Sequence, residues 1–132
     1  MGALTTAGQI LVGNWLLTDT AVTRPTAWWV ALHTGDPGAD GSANEVLVAA
    51  DADYVRKSVT FADLANGQNQ NEVGVAWTVD EASVGYTVTH ASIWTAESGG
   101  SCLLKGQLLA ARTLAANDVL PFDAGWIVAA HV

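Results

Sequence analysis

The side chains able to ligate a metal or carry a proton are few and widely spaced. They are three histidines, His33, His90 and His131, and one cysteine, Cys102. A structural zinc site gathers nitrogen and sulfur ligands in tight local pairs. These residues match no such spacing, so each histidine reads as a strand residue with a local hydrogen bond, and no metal is expected. Asp36, Asp40 and Glu45 lie on one loop and could offer oxygens to calcium, which takes about six to eight of them. Their spacing is not that of an EF-hand loop, and they read as turn formers that keep the loop solvated.

Nucleophilic catalysis needs a serine or cysteine beside a base that an acid orients. Ser92 lies two residues from His90 on one strand face, a weak signal by itself. There is no G-x-S-x-G elbow, no phosphate-cradling G-x-x-x-x-G-K-[ST] and no G-x-G-x-x-G. Asp80 and Glu81 are adjacent in a turn-forming stretch, where their side chains point apart instead of flanking a glycosidic bond. The residues therefore predict no catalytic centre and no cofactor.

Tryptophan is the unusual component, with six in the chain. Each buries a large apolar area and keeps one N–H that wants a partner, which suits cores, interfaces and sugar platforms alike. Trp77, Trp94 and Trp126 fall in alternating segments and are expected in the core. Trp28 and Trp29 must point to opposite faces of one strand, which leaves one of them for the helix or for a neighbouring molecule. The interface candidates are thus Trp15 and Leu11 on the helix, with Trp28 and Trp29. Exposed tryptophans would also suit a carbohydrate-binding module that attaches to host glycans.

The elements that must position these residues follow from periodicity. One amphipathic helix is expected over about 5–17. Thr5 or Thr6 can cap it, and Ala7, Leu11 and Trp15 recur every four residues, with Ile10 and Leu17 nearby on the wheel. Gly8 and Gly13 weaken it by about 1 kcal/mol each. Such a helix lies either on its own domain's sheet or on an adjacent subunit. The remainder, 27–132, reads as β-rich. Residues 27–34 alternate with both faces apolar, as a central strand does. Gly35-Asp36-Pro37-Gly38 is turn chemistry. An extended segment runs near 55–61, Asn66–Asn71 is a polar loop, and strands are expected over 73–79, 86–95, 103–111 and 126–132. Several strands separated by Gly, Asn and Asp clusters predict an antiparallel β-sandwich or jelly-roll-like fold. The whole of 1–132 reads as a single domain.

Composition narrows the function further. Half the residues are hydrophobic, which excludes intrinsic disorder, and only 14% are charged, against roughly 25% in typical soluble domains. A surface so poor in charge suits a subunit partly covered by neighbours. The formal net charge is −8 and the five bases are scattered, so no basic run tracks a phosphate backbone and direct nucleic-acid binding is not expected. A lone cysteine suits folding in a reducing cytoplasm. No stretch is long and apolar enough for a membrane-spanning helix, and no secretory signal is read at the N-terminus.

One combination of segments goes beyond these generalities. Trp29-Val30-Ala31-Leu32-His33-Thr34-Gly35-Asp36-Pro37-Gly38 is followed by Asn44-Glu45-Val46 and Tyr54-Val55-Arg56. Then come Val88-Thr89-His90-Ala91-Ser92-Ile93-Trp94, Gly99-Gly100, Leu103-Leu104 and the closing stretch Asn117–Gly125. Over nearly its whole length the chain resembles a family of small tailed-bacteriophage virion proteins, usually described as tail-fibre or minor tail proteins. It departs from the family at Ala49–Asp53, where a glycine- and serine-rich segment is expected. The resemblance implies a non-enzymatic virion component made in the host bacterial cytoplasm. Its partners would be other virion proteins and further copies of itself, a trimer by analogy with fibres. Capsid decoration is the alternative location. Within the motif, Asp36 and Pro37 are expected to lock a turn. Arg56 is expected to pair with Glu45 or Asp36 and so pin the long loop to the sheet, through two parallel bonds that only arginine can make.

Overall fold

The computed structural model describes residues 3–130. Its elements in chain order are β1 (Ala3–Leu4), α1 (Thr6–Leu17), β2 (Trp28–His33), β3 (Lys57–Val59), β4 (Gln68–Gln70), β5 (Val75–Thr78), β6 (Tyr86–Trp94), β7 (Cys102–Leu114), β8 (Val119–Phe122) and β9 (Val128–Ala130). The fold is mainly β, antiparallel and sandwich-like, with one helix. The main sheet has five strands in the order β1-β7-β6-β2-β3, and β4–β9 and β5–β8 form two-stranded ribbons.

The alternation in β2 decides how the two faces of the main sheet are covered. Val30 and Leu32 point to one face and are fully buried in a cluster with Val59, Trp77, Val79, Val88, Ile93 and Leu120. Trp77 and Leu120 come from the β5–β8 ribbon, so that ribbon is the second layer. Trp28 packs against this cluster half-buried. Ala31 points to the other face, where Trp94 and Cys102 form a smaller cluster that Trp29 borders. Both faces of β2 are covered, one by the β5–β8 ribbon and the other by the loop that brings Gly41 against Trp94 and Cys102, which is why its sequence is apolar at successive positions.

Three strands lie where periodicity gives little signal. β4 falls within the stretch read as a polar loop; it is polar throughout and, of the named strands, pairs with β9. Its hairpin turn is Asn66-Gly67, both left-handed at φ 53° and 76°, closed by reciprocal backbone bonds between Ala65 and Gln68. That is the type I′ geometry that an Asn-Gly pair favours. β1 has two residues and β8 has four. In the last expected strand, Trp126 is 58% exposed and precedes β9, so it is not a core residue as its alternation had suggested. A turn at Asp123–Trp126 swings it outward. His131 lies outside the described residues.

The helix is capped as expected but is not amphipathic. The Thr5 hydroxyl accepts from Gly8 N–H at 3.2 Å and donates to the Cys102 carbonyl. Thr5 N–H donates to the Leu103 carbonyl at 3.0 Å and Thr6 N–H to the Ala39 carbonyl at 2.9 Å. The first turn is thus fixed to the start of β7. Beyond it the helix leaves the sheet, and Gly8 is its only buried residue. The stripe Ala7-Leu11-Trp15 is not a separate apolar face, because Ile10, Val12, Leu16 and Leu17 place apolar side chains on every other side at about 100° per residue. Trp15 is 70% exposed and Leu17 84%.

The close approach at Gly8 gives a test of this anchor. A Cβ there would stand 2.2 Å from the Leu103 carbonyl oxygen, closer than any packing tolerates. Gly8→Ala should raise intrinsic helicity by about 1 kcal/mol, yet cost the protein about 1–3 kcal/mol through overpacking. Hydrogen exchange should show the Thr5 and Thr6 amides losing protection, whereas retained protection would show that the sheet can yield.

Candidate functional site

The loop after β2 is clamped at several points on the face that carries Ala31, Trp94 and Cys102. Arg56 holds Glu45 through two parallel bonds, Nη2 to Oε1 at 2.8 Å and Nε to Oε2 at 3.0 Å. Its remaining nitrogen, Nη1, donates to the Ala96 carbonyl at 3.1 Å and the Gly99 carbonyl at 2.9 Å. The guanidinium carbon lies 3.7 Å from the centre of the Trp94 ring, a stacked cation–π contact. The Tyr54 hydroxyl donates to Glu45 Oε2 at 2.8 Å and accepts from Leu32 N–H at 3.0 Å. Burial by itself would raise the Glu45 carboxyl, but the Arg56 and Tyr54 hydrogen bonds outweigh it and hold it below the ordinary glutamate value. Burial, with Glu45 adding to it, pushes the Tyr54 phenol far above its ordinary range, so it remains a donor.

Asp36 is engaged elsewhere. Its carboxylate accepts from Gly38 N–H at 2.8 Å and from Lys105 Nζ at 3.0 Å, and these contacts, Gly38 first, lower its pKa. Pro37 is buried, and its carbonyl accepts from Ala43 N–H at 2.9 Å. Asp40 caps its own turn at Ser42. The three acids of the loop therefore have separate partners, a turn, a turn and an arginine, and do not converge on one point.

Beneath the clamp runs a chain of oriented hydrogen bonds. Trp94 Nε1–H donates to Ser92 Oγ at 2.7 Å. Ser92 Oγ lies 2.7 Å from His33 Nε2, and His33 Nδ1 lies 2.8 Å from the Ala43 carbonyl. A carbonyl can only accept, so Nδ1 carries the proton and Nε2 accepts from the serine. Burial lowers the His33 pKa, which keeps the ring neutral. The partner of Ser92 is thus His33 on the neighbouring strand, not His90, whose Nδ1 lies 2.8 Å from Thr89 Oγ1. A serine beside a neutral histidine has the parts of a nucleophile and its base. Here both are fully buried, at 1% and 0% exposure, and the indole already occupies the serine oxygen. The chain of bonds braces β2, β6 and the loop against each other. Cys102, whose thiol burial pushes up to about 11, is likewise held as the unreactive thiol.

A second polar anchor carried no sequence signal. Asp51 falls in the stretch where the chain departs from the family pattern, and it is buried at 1% exposure. Its Oδ1 accepts from Asp53 N–H at 3.1 Å and Asp80 N–H at 3.0 Å, and its Oδ2 from the Tyr86 hydroxyl at 2.7 Å. One carboxylate so joins the loop before β3, the turn after β5 and the start of β6. Only knowledge of which strands are neighbours could have found it.

Of the interface candidates, Trp28 and Trp29 are half-buried on their own clusters, Leu11 is half-buried and Trp15 projects outward. The surface also carries an open cleft of about 590 Å³, lined chiefly by β7 from Leu104 to Arg112 and by Phe122 and Trp126–Ala129. In β7 the pairing to β6 jumps from Val88↔Arg112 to His90↔Gln107. Four residues, Leu108–Ala111, therefore bulge opposite one. Leu109, at the crest, is fully exposed.

Taken together, the buried polar groups brace strands and loops, and the exposed apolar groups lie on a helix and a cleft. These are the features of a β-rich structural component. The family described as podophage GP4 fiber I protein gp80 matches residues 3–130, and the chain belongs to that family. No curated protein matches the chain.

Proposed function

We propose that this protein is a structural subunit of a podophage tail fibre, acting by self-association and by docking on other virion proteins, with neither catalysis nor a cofactor. The observation that carries this reading is α1, fixed to the sheet by its first turn while Val12, Trp15, Leu16 and Leu17 stand in solvent. A helix apolar on all sides belongs in an interior, and this chain does not supply one. The bracing role of the Glu45–Arg56 and His33–Ser92–Trp94 groups supports the same reading, since a particle component must hold its shape outside the cell. A lone buried thiol suits synthesis in the host bacterial cytoplasm. Gold-labelled antibody against the protein, viewed on intact virions, should decorate the fibres at the tail. Label spread over the capsid shell would overturn the fibre assignment in favour of capsid decoration.

A further inference from the structure

We infer that α1 of one copy seats in the cleft between the β7 bulge and β9 of a second copy, so that the fibre subunit polymerises helix into groove. The inference rests on the fibre reading above and names the partner of that surface. The two halves of the contact are both on this chain and do not meet within it, since no residue of α1 lines the cleft. The helix emerges from the Cys102–Leu103 end of β7 and, at 12 residues, is about 18 Å long. The cleft is lined mainly by aliphatic and aromatic side chains, with Leu109 and Trp126 as exposed lips.

Charge selects a second copy as the occupant. The chain carries a net charge of −8, so most faces of two copies repel. The segment Thr6–Leu17 has no charged residue, and it can approach an acidic surface without that penalty. The cleft holds two of the five basic residues, Lys105 and Arg112. Lys105 is occupied by Asp36, whereas Arg112 has no ion pair among the described residues. The helix ends in unpaired carbonyls, which carry partial negative charge, and Asp19 follows. A helix laid in the cleft with its C-terminus toward Arg112 therefore satisfies both the apolar surfaces and the free cation. Because helix and cleft are different patches, the contact is heterologous and closes into a ring if the rotation allows.

Sedimentation of the intact chain should show a multimer. Trp15→Glu and Leu109→Glu should each convert it to monomer, weakening association about 30-fold or more, as loss of an interface hot spot does. Both side chains are exposed in the single copy, so circular dichroism should be unchanged. When a Leu16→Cys chain is co-expressed with a Leu109→Cys chain, oxidation should give the mixed adduct in preference to either self-adduct. A monomeric wild type, a multimer that survives either glutamate, or a Leu16→Cys self-adduct as the main product would each overturn the contact. None of these results would move the antibody label on the virion, so failure here is separable from failure of the fibre assignment.

Discussion

Arg56→Ala is expected to cost about 2–3 kcal/mol, the scale of a charge-assisted bidentate pair whose loss strands a partly buried carboxylate. It should lower the melting temperature by roughly 10 °C for a chain of this size. Five hydrogen-bonded or stacked contacts depend on this one side chain: Glu45 twice over, the Ala96 and Gly99 carbonyls and the Trp94 ring. Loss of the clamp should open 40–56 to protease before the sheet unfolds. Arg56→Lys should recover little, since an ammonium has neither the planar fork nor the stacking face. Limited proteolysis of the three proteins checks this, and unchanged cleavage in 40–56 would count against a pinning role.

Acid should act on the same clamp. Glu45 has a folded-state pKa below its ordinary value of 4.5, so its contribution is complete above that value and is lost as pH falls through the lower folded one. His33 is also lowered, from 6.5. The unfolded chain takes up that proton first, so its contribution declines as pH falls below 6.5. Stability should therefore decline in two stages on acidification, and Arg56→Ala should shrink the more acidic stage, to which Asp36, lowered by Gly38 and Lys105, also contributes.

Asp51→Ala is expected to be at least as damaging, at about 3–4 kcal/mol, because it strips acceptors from two backbone N–H groups and a phenol at once. Asp51→Asn keeps an acceptor oxygen and should lose less, which separates the shape of the anchor from its charge. Urea midpoints of the two variants decide the matter. Equal losses would mean that the charge supplies the whole effect.

The strands that bury one side against the other were legible because their residues alternate: 27–34 and 86–95 coincide closely with β2 and β6. The helix was legible from its cap. Its partner was not, because an apolar stripe was read where the apolar residues in fact encircle the axis. β4 was hidden by its polar sequence, although Asn66-Gly67 announces the hairpin. At the site, Glu45, Arg56, Asp36 and Pro37 could be singled out from the motif that carries the family resemblance, but the choice of Glu45 for Arg56 and of Lys105 for Asp36 needed the strand order. The His33–Ser92–Trp94 chain and Asp51 join residues 59 and 35 positions from their partners, and no local pattern encodes such pairings.

The anchor of α1 has a consequence for how the chain reaches this state. Thr5 bonds to Cys102 across 97 positions, so the helix is synthesised long before the strand that receives it. Until β7 has paired with β6, the apolar helix has no mooring and is a hazard for aggregation at ribosomal concentrations. Closing so long a loop is an entropic barrier that local contacts cannot lower. A segment made before β7 is placed only after it, and refolding should end on a slow phase in which the Thr5 and Thr6 amides gain exchange protection once the sheet is complete.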